Sequence, residues 1–253
     1  MQCLKEHQAT DFHKIGNQYL LITKDRECLR LDRAETVLER KQMAPDEIFK
    51  LKLIYHLAAT MTGIKPVTIM RFKTPQPNLG KCANCTQRWQ NISRHFQGMQ
   101  TLGMRILDNN QQGESLIFFH VEACRRLLQD PCAKAFLIER GLVYGRETIS
   151  NPARFIDWCL KIHKQKGSLP VEMGLFMGIP LKDVRGYISG SESPTMTVGW
   201  RMYGAPQSSL LLANLYRRLR QYAVMAFFKN SFEDIADRLG RSQLIQRIDL
   251  LTA

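Results

Sequence analysis

The sequence predicts an α/β or α+β fold in which a small central sheet is flanked by several helices. Apolar residues at helical spacing alternate with short β-rich runs from about residue 49 to residue 228. The chain has 253 residues, of which 44% are hydrophobic, so it can bury a core without a disulfide or a metal. No internal repeat or low-complexity tract suggests another architecture.

The first 48 residues are expected to form an appendage to one domain that spans residues 49–253. Residues 18–23 and 27–31 are apolar and β-prone, and a short charged segment separates them. They predict an N-terminal β-hairpin. A short charged helix is expected at residues 33–42.

The domain begins with a clear helix signal. Pro45 suits a first helical turn, and Gly63 suits the residue after a last turn. The β-rich run 66–72 then predicts a strand, and Trp89, which begins an apolar stripe with three- and four-residue spacing, predicts a helix at 86–102. The remaining expected elements, in order, are strands at 104–107 and 116–121, helices at about 122–129, 133–140 and 152–165, short helices within 169–190, a strand at 197–203 and a long helix at 206–228.

The cysteine count and the apolar runs indicate a compartment. Seven cysteines, an odd number, are typical of free thiols in a reducing environment. The first residues lack the apolar core of a signal peptide, and no run reaches the length of a membrane span. We therefore expect a cytoplasmic protein with no membrane span.

The positive charge is concentrated in one region. The formal net charge is +13, and residues 49–112 hold nine bases and one acid. Such a region attracts an acidic protein, nucleic acid or a small anion, although solubility alone also explains it. The bases expected to form this basic surface include Lys73, Lys81, Arg88 and Arg94.

Four segments resemble a bacterial family known as domain of unknown function 3793. They are residues 57–66 (LAATMTGIKP), 135–141 (AFLIERG), 169–188 (LPVEMGLFMGIPLKDVRGYI) and 199–204 (GWRMYG), in the family's order. Ala59 and Val171 depart from it, because relatives usually carry proline and histidine there. The strand end Phe118-Phe119-His120 replaces a more usual tyrosine-containing one.

The resemblance implies no agreed activity. Relatives often accompany bacterial ferrous-iron and flavodoxin functions, which implies an accessory or ligand-binding protein linked to iron or redox metabolism. A flavodoxin is acidic and would suit a basic face. The alternatives are a nucleic-acid-binding protein that uses residues 49–112, and an enzyme.

The sharpest local motif is the Cys-x-x-Cys pair of Cys82 and Cys85. Such a pair suits dithiol redox chemistry or half of a zinc site, and Lys81 and Arg88 would favour the thiolates. No second pair with metal-ligand spacing accompanies it, so two incidental thiols are the competing interpretation.

Two carboxylates and four other residues form the predicted pocket. Glu172 and Asp183 lie near glycine-rich corners, where they could act as acid–base groups or metal ligands, or could only hold loops. Lys65 could bind an anion or could equally be a solvated base at the end of a helix. His120 ends a strand, where ligands often bind, but a lone histidine there is more often structural. The strand alternation places Arg201 and Tyr203 on one face as a stacking or anion surface, and Trp200 on the other, in the core.

Overall fold

A computed structural model describes residues 11–15, 18–22, 45–73, 101–110, 113–142, 151–231, 234, 235 and 239. Within these residues the elements, in chain order, are β1 (Asp11–Ile15), β2 (Gln18–Ile22), α1 (Pro45–Met61), β3 (Val67–Lys73), β4 (Leu102–Asn110), β5 (Gly113–His120), α2 (Val121–Gln129), α3 (Pro131–Glu139), α4 (Ala153–Lys166), α5 (Met173–Phe176), α6 (Leu181–Ser189), β6 (Met196–Val198), β7 (Trp200–Met202) and α7 (Gln207–Phe227).

Among the described residues, the central sheet has three antiparallel strands in the order β3-β5-β4. Val67 pairs with Phe119 on one side of β5, and Leu102 pairs with His120 on the other. The predicted small sheet flanked by helices is confirmed. Because its strands are antiparallel, the fold is α+β.

Alternate residues of β5 face two separate apolar cores, as the two-residue period of a strand requires. Leu116 and Phe118 belong to one core, with side chains of α1 and α7. Ile117 and Phe119 belong to the other, with side chains of α2 through α6. The described part of the domain therefore places helices on both faces of the sheet.

Each helix that the structure describes was expected from the sequence at nearly the same residues. The first helix begins at Pro45 as expected, and the long C-terminal one, expected at 206–228, is α7. Asp130 caps α3, since its carboxylate accepts a 2.7 Å hydrogen bond from the backbone N–H of Ala133. The helix expected at 33–42 lies outside the described residues. The one expected at 86–102 lies outside them except for its last two residues, and its end was wrong because Leu102 already belongs to β4.

One strand prediction was wrong in detail, and another is only partly described. The N-terminal hairpin was expected from residues 18–23 and 27–31, and residues 27–31 lie outside the described residues. Its first strand is β2, which pairs antiparallel with β1, a strand that the sequence did not predict. Gly16-Asn17, a pair that suits a short hairpin connection, separates the two strands in the sequence. The single strand expected at 197–203 is a hairpin of β6 and β7. Gly199 lies between them with φ 75°, a left-handed conformation in which a continuous strand cannot run.

Candidate functional site

Lys65 lies in the connection between α1 and β3, and its side chain reaches Tyr216 of α7. Its backbone N–H donates a 2.9 Å hydrogen bond to the carbonyl of Ala59, which holds the connection against the end of α1. Its Nζ lies 5.9 Å from the centre of the Tyr216 ring. The Tyr216 hydroxyl in turn donates a 3.0 Å hydrogen bond to the carbonyl of Gly178.

Arg220 brings a second positive charge close to Lys65 and Tyr216. It lies one helical turn after Tyr216, and its Nε donates to the Tyr216 carbonyl at 3.3 Å. Its guanidinium carbon lies 5.5 Å from the centre of the Tyr55 ring. In the described part of the chain, neither Lys65 nor Arg220 forms an ion pair with an acidic group. We call Lys65, Arg220, Tyr55, Tyr216 and Gly178 the Lys65 cluster.

Burial and charge both act on this cluster. Burial, and to a smaller extent the charge of Arg220, lower the pKa of Lys65 from 10.5 to about 8. The ammonium is therefore mostly charged at pH 7 but only partly charged at pH 8. Burial raises the pKa of Tyr216 above its ordinary value, so its hydroxyl stays neutral and remains a donor.

Asp183 is the centre of a second arrangement beside the cluster. It is 1% exposed, and its two oxygens accept four hydrogen bonds. The donors are Lys182 Nζ at 2.7 Å, Trp200 Nε1 at 2.8 Å, the backbone N–H of Tyr203 at 2.9 Å and Ser209 Oγ at 2.6 Å. Burial alone would raise the pKa of Asp183, but these donors together outweigh burial and lower it.

Trp200 connects the two arrangements. Its indole N–H binds Asp183, and its ring centre lies 6.4 Å from that of Tyr216, with the planes tilted by 59°. Its ring also packs against the core that contains α1 and α7, as the sequence predicted. The structure thus brings Lys65 and Asp183, two residues of the predicted pocket, into neighbouring networks.

Glu172 belongs to a different place. It is buried and accepts a 2.7 Å hydrogen bond from Nε of Arg140. Its negative charge adds to burial in raising the pKa of the Cys159 thiol beyond its ordinary range. Among the described residues the hydrogen-bond partner of Glu172 is Arg140 and those of Asp183 are the four donors given above, so the two predicted carboxylates do not form a pair there.

His120 ends β5 as predicted and caps α2. Its Nδ1 accepts a 3.2 Å hydrogen bond from the backbone N–H of Ala123, so the neutral ring carries its proton on Nε2. Burial, then the charge of Arg126, lower the pKa of His120 to about 4. Arg126 also donates a 2.7 Å hydrogen bond to the carbonyl of Gly63, close to Lys65 in the chain.

The other predicted residues do not share one surface among the described residues. Arg201 is exposed, whereas Tyr203 is buried because β7 ends at Met202 and its alternation stops there. Arg105, a base of the 49–112 region, forms a 2.9 Å ion pair with Asp157. Six of the residues predicted for the redox motif and the basic surface have side chains outside the described part of the chain: Lys73, Lys81, Cys82, Cys85, Arg88 and Arg94.

The described residues contain no group of three or more histidine, cysteine or acidic side chains arranged to hold a metal ion. Their helices include none that combines the length and the apolar character required to cross a membrane. Cys124, Cys132 and Cys159 are free thiols.

A family model described as "Protein of unknown function (DUF3793)" matches residues 53–236. The chain belongs to this family. The match confirms the resemblance seen in the sequence and covers Lys65, Asp183, Trp200, Tyr216 and Arg220 of this DUF3793 domain. Comparisons with curated proteins and with solved structures gave no match.

Sequence reasoning identified Lys65 and Asp183 but missed Tyr216 and Arg220 as their neighbours. The four-residue separation of Tyr216 and Arg220 places them one above the other on a helix, which is a readable signal. The signal does not show that the face they share turns towards Lys65, because that contact depends on how α7 packs against α1.

Proposed function

We propose that this DUF3793 domain binds a small anionic ligand at the Lys65 cluster, as a ligand-binding or accessory protein. The observation that carries the proposal is that Lys65 and Arg220 share one partly buried place without an acidic partner among the described residues. Bringing like charges together in a partly desolvated place costs free energy. An anion between them offsets that cost and adds charge-assisted hydrogen bonds.

The other buried charges support this interpretation by contrast. Asp183 has Lys182 as its counter-ion, and Glu172 has Arg140. The domain therefore neutralises these charges internally, whereas Lys65 and Arg220 retain unused donors. The flat rings of Tyr55 and Tyr216 flank the two cations and would confine a ligand between them.

Sulfate is a suitable probe, because its charge does not change above pH 4. We expect isothermal titration calorimetry at pH 7 to show binding that Lys65→Gln and Arg220→Gln each weaken about tenfold, which corresponds to about 1.4 kcal/mol. Arg185→Gln is the matched control, because this exposed arginine contacts Glu139 at 3.5 Å and the Phe136 ring, which do not belong to the Lys65 cluster. Equal affinity in all four proteins would contradict the proposal.

The same titration has an expected pH dependence. A group with a pKa of about 8 loses its charge as the pH rises from 7 to 9, so sulfate affinity should fall over that range in the original chain. Lys65→Gln has no such group and should show a flat profile. A fall that persists in Lys65→Gln would assign the titration to another residue.

We also propose that the chain docks a larger anionic partner, an acidic protein such as a flavodoxin, and that it serves iron or redox metabolism. Its support is the composition of residues 49–112, with nine bases and one acid. We expect the immobilised protein to retain purified flavodoxin at low ionic strength. It should release the flavodoxin as the salt concentration is raised, because screening weakens such docking. Retention that does not depend on salt would contradict it.

A further inference from the structure

The long helix α7 exposes large apolar side chains on the side that faces away from the core. Leu211 is 66% exposed, Tyr222 is 52% exposed and Met225 is 65% exposed. At 100° per residue these three positions lie within about 60° of one another around the helix and span about 21 Å along it. We call this line of side chains the α7 stripe.

The opposite side of α7 is already buried. Tyr216, Leu219 and Ala223 belong to the core that α1 also fills. A helix that is apolar on two sides is usually covered on both of them. The α7 stripe therefore has the character of a contact surface.

Charge restricts what can cover it. Arg218 is exposed between Leu211 and Tyr222, Lys229 is exposed just after the helix, and residues 207–229 contain no aspartate or glutamate. A second copy packed antiparallel on the stripe would place Arg218 near its own equivalent, because Arg218 is midway between Leu211 and Met225. Repulsion between like charges disfavours that pairing, while an acidic surface complements the stripe.

The width of the stripe distinguishes between two kinds of acidic partner, an anionic membrane surface and a helix of an acidic protein. Within α7 the stripe covers about 60°, which is narrower than the broad face with which a helix lies in a membrane interface. The exposed Phe228 comes after the last residue of the helix. The stripe matches instead the seam between two packed helices, in which contacts recur every three or four residues. The α7 stripe has this spacing. Tyr222 and Met225 are three residues apart, and successive seven-residue steps lead from Leu211 to Arg218 and to Met225.

We propose that the α7 stripe docks one amphipathic helix of an acidic partner protein. Leu211, Tyr222 and Met225 would pack against the apolar side of that helix, and Arg218 would pair with a carboxylate beside it. This surface is separate from the Lys65 cluster, so it can exist whether or not sulfate binds there.

The probe is a labelled three-heptad helical peptide with leucine at its a and d positions and glutamate at e and g. Fluorescence anisotropy should show binding that Leu211→Ser with Met225→Ser weakens at least about tenfold, as loss of central apolar contacts does. Tyr187→Ser on α6 is the matched control, because Tyr187 is also exposed but lies off the stripe, and it should leave binding unchanged.

A charge exchange tests the acidic character of the partner. The original chain should prefer the glutamate peptide over one with lysine at e and g, and Arg218→Glu should reverse that preference. Equal binding of both peptides would overturn the proposal. Stripe-dependent dimerisation in sedimentation, or stripe-dependent binding to phosphatidylserine vesicles without peptide binding, would also overturn it. Because the substituted side chains are exposed, circular dichroism melts should show that each variant folds.

Discussion

Replacement of Asp183 by alanine is expected to lower the free energy of unfolding by about 3–5 kcal/mol, the range for removing one partner of a buried ion pair. The carboxylate accepts hydrogen bonds from α6, β7 and α7, and all its donors would lose their acceptor together. Urea denaturation followed by circular dichroism measures the change. Ser209→Ala removes one donor only and should cost about 1–3 kcal/mol.

The pH dependence of stability gives a second measure of the same residue. The pKa of Asp183 is lower in the folded protein than its ordinary value of 3.8. Its contribution is therefore present above that value and is lost as the pH falls through the folded pKa. Asp183→Ala should reduce the acid sensitivity of unfolding. A loss below about 1 kcal/mol at pH 7 would show that the donors find other acceptors.

Gly186→Ala should destabilise the domain by about 1–3 kcal/mol, although alanine is normally the better helix former by about 1 kcal/mol. A Cβ at this position of α6 would lie 2.3 Å from Cγ of Tyr203. The Tyr203 ring cannot easily move, because it is buried and its backbone N–H is bound to Asp183. Chemical denaturation measures the effect.

Two further variants isolate the cause in Gly186→Ala. Gly174→Ala in α5 is the matched control, since its Cβ would meet Val184 Cγ2 at 3.3 Å and needs only a small adjustment. Tyr203→Ala removes the ring that the new Cβ would meet. In a protein that already carries Tyr203→Ala, Gly186→Ala should therefore lower the free energy of unfolding very little. Stabilisation by Gly186→Ala alone would show that the close approach is absent.

Local signals explain which parts of the fold were predictable. Pro45 and the apolar spacing after it are properties of one segment, and α1 was placed correctly. Strand partners are not local properties, so β2 was recognised but its pairing with β1 was not predicted. Gly199 interrupts a β-prone run, and only its positive φ shows that the run turns back on itself.

The candidate site was predictable to a similar degree. The position of Lys65 beside Pro66, at a helix end, predicted either an anion-binding lysine or a solvated base. Arg220 was visible only as a charge that interrupts an apolar run, because its relation to Lys65 depends on the packing of α7. Asp183 was recognised as a carboxylate near a glycine corner, but its binding to Trp200 joins α6 to β7, a contact that the sequence does not indicate.

The order of the strands in the central sheet has a consequence for how the chain folds. Asn110 pairs with Gly113, so β4 and β5 can meet as soon as that short stretch of chain exists. Val67 pairs with Phe119, and β3 must therefore wait while a much longer loop closes, at a larger entropic cost. We therefore expect the hairpin of β4 and β5 to form first, as the folding nucleus. The strand β3, with the connection at Lys65 that precedes it, is expected to join the sheet later.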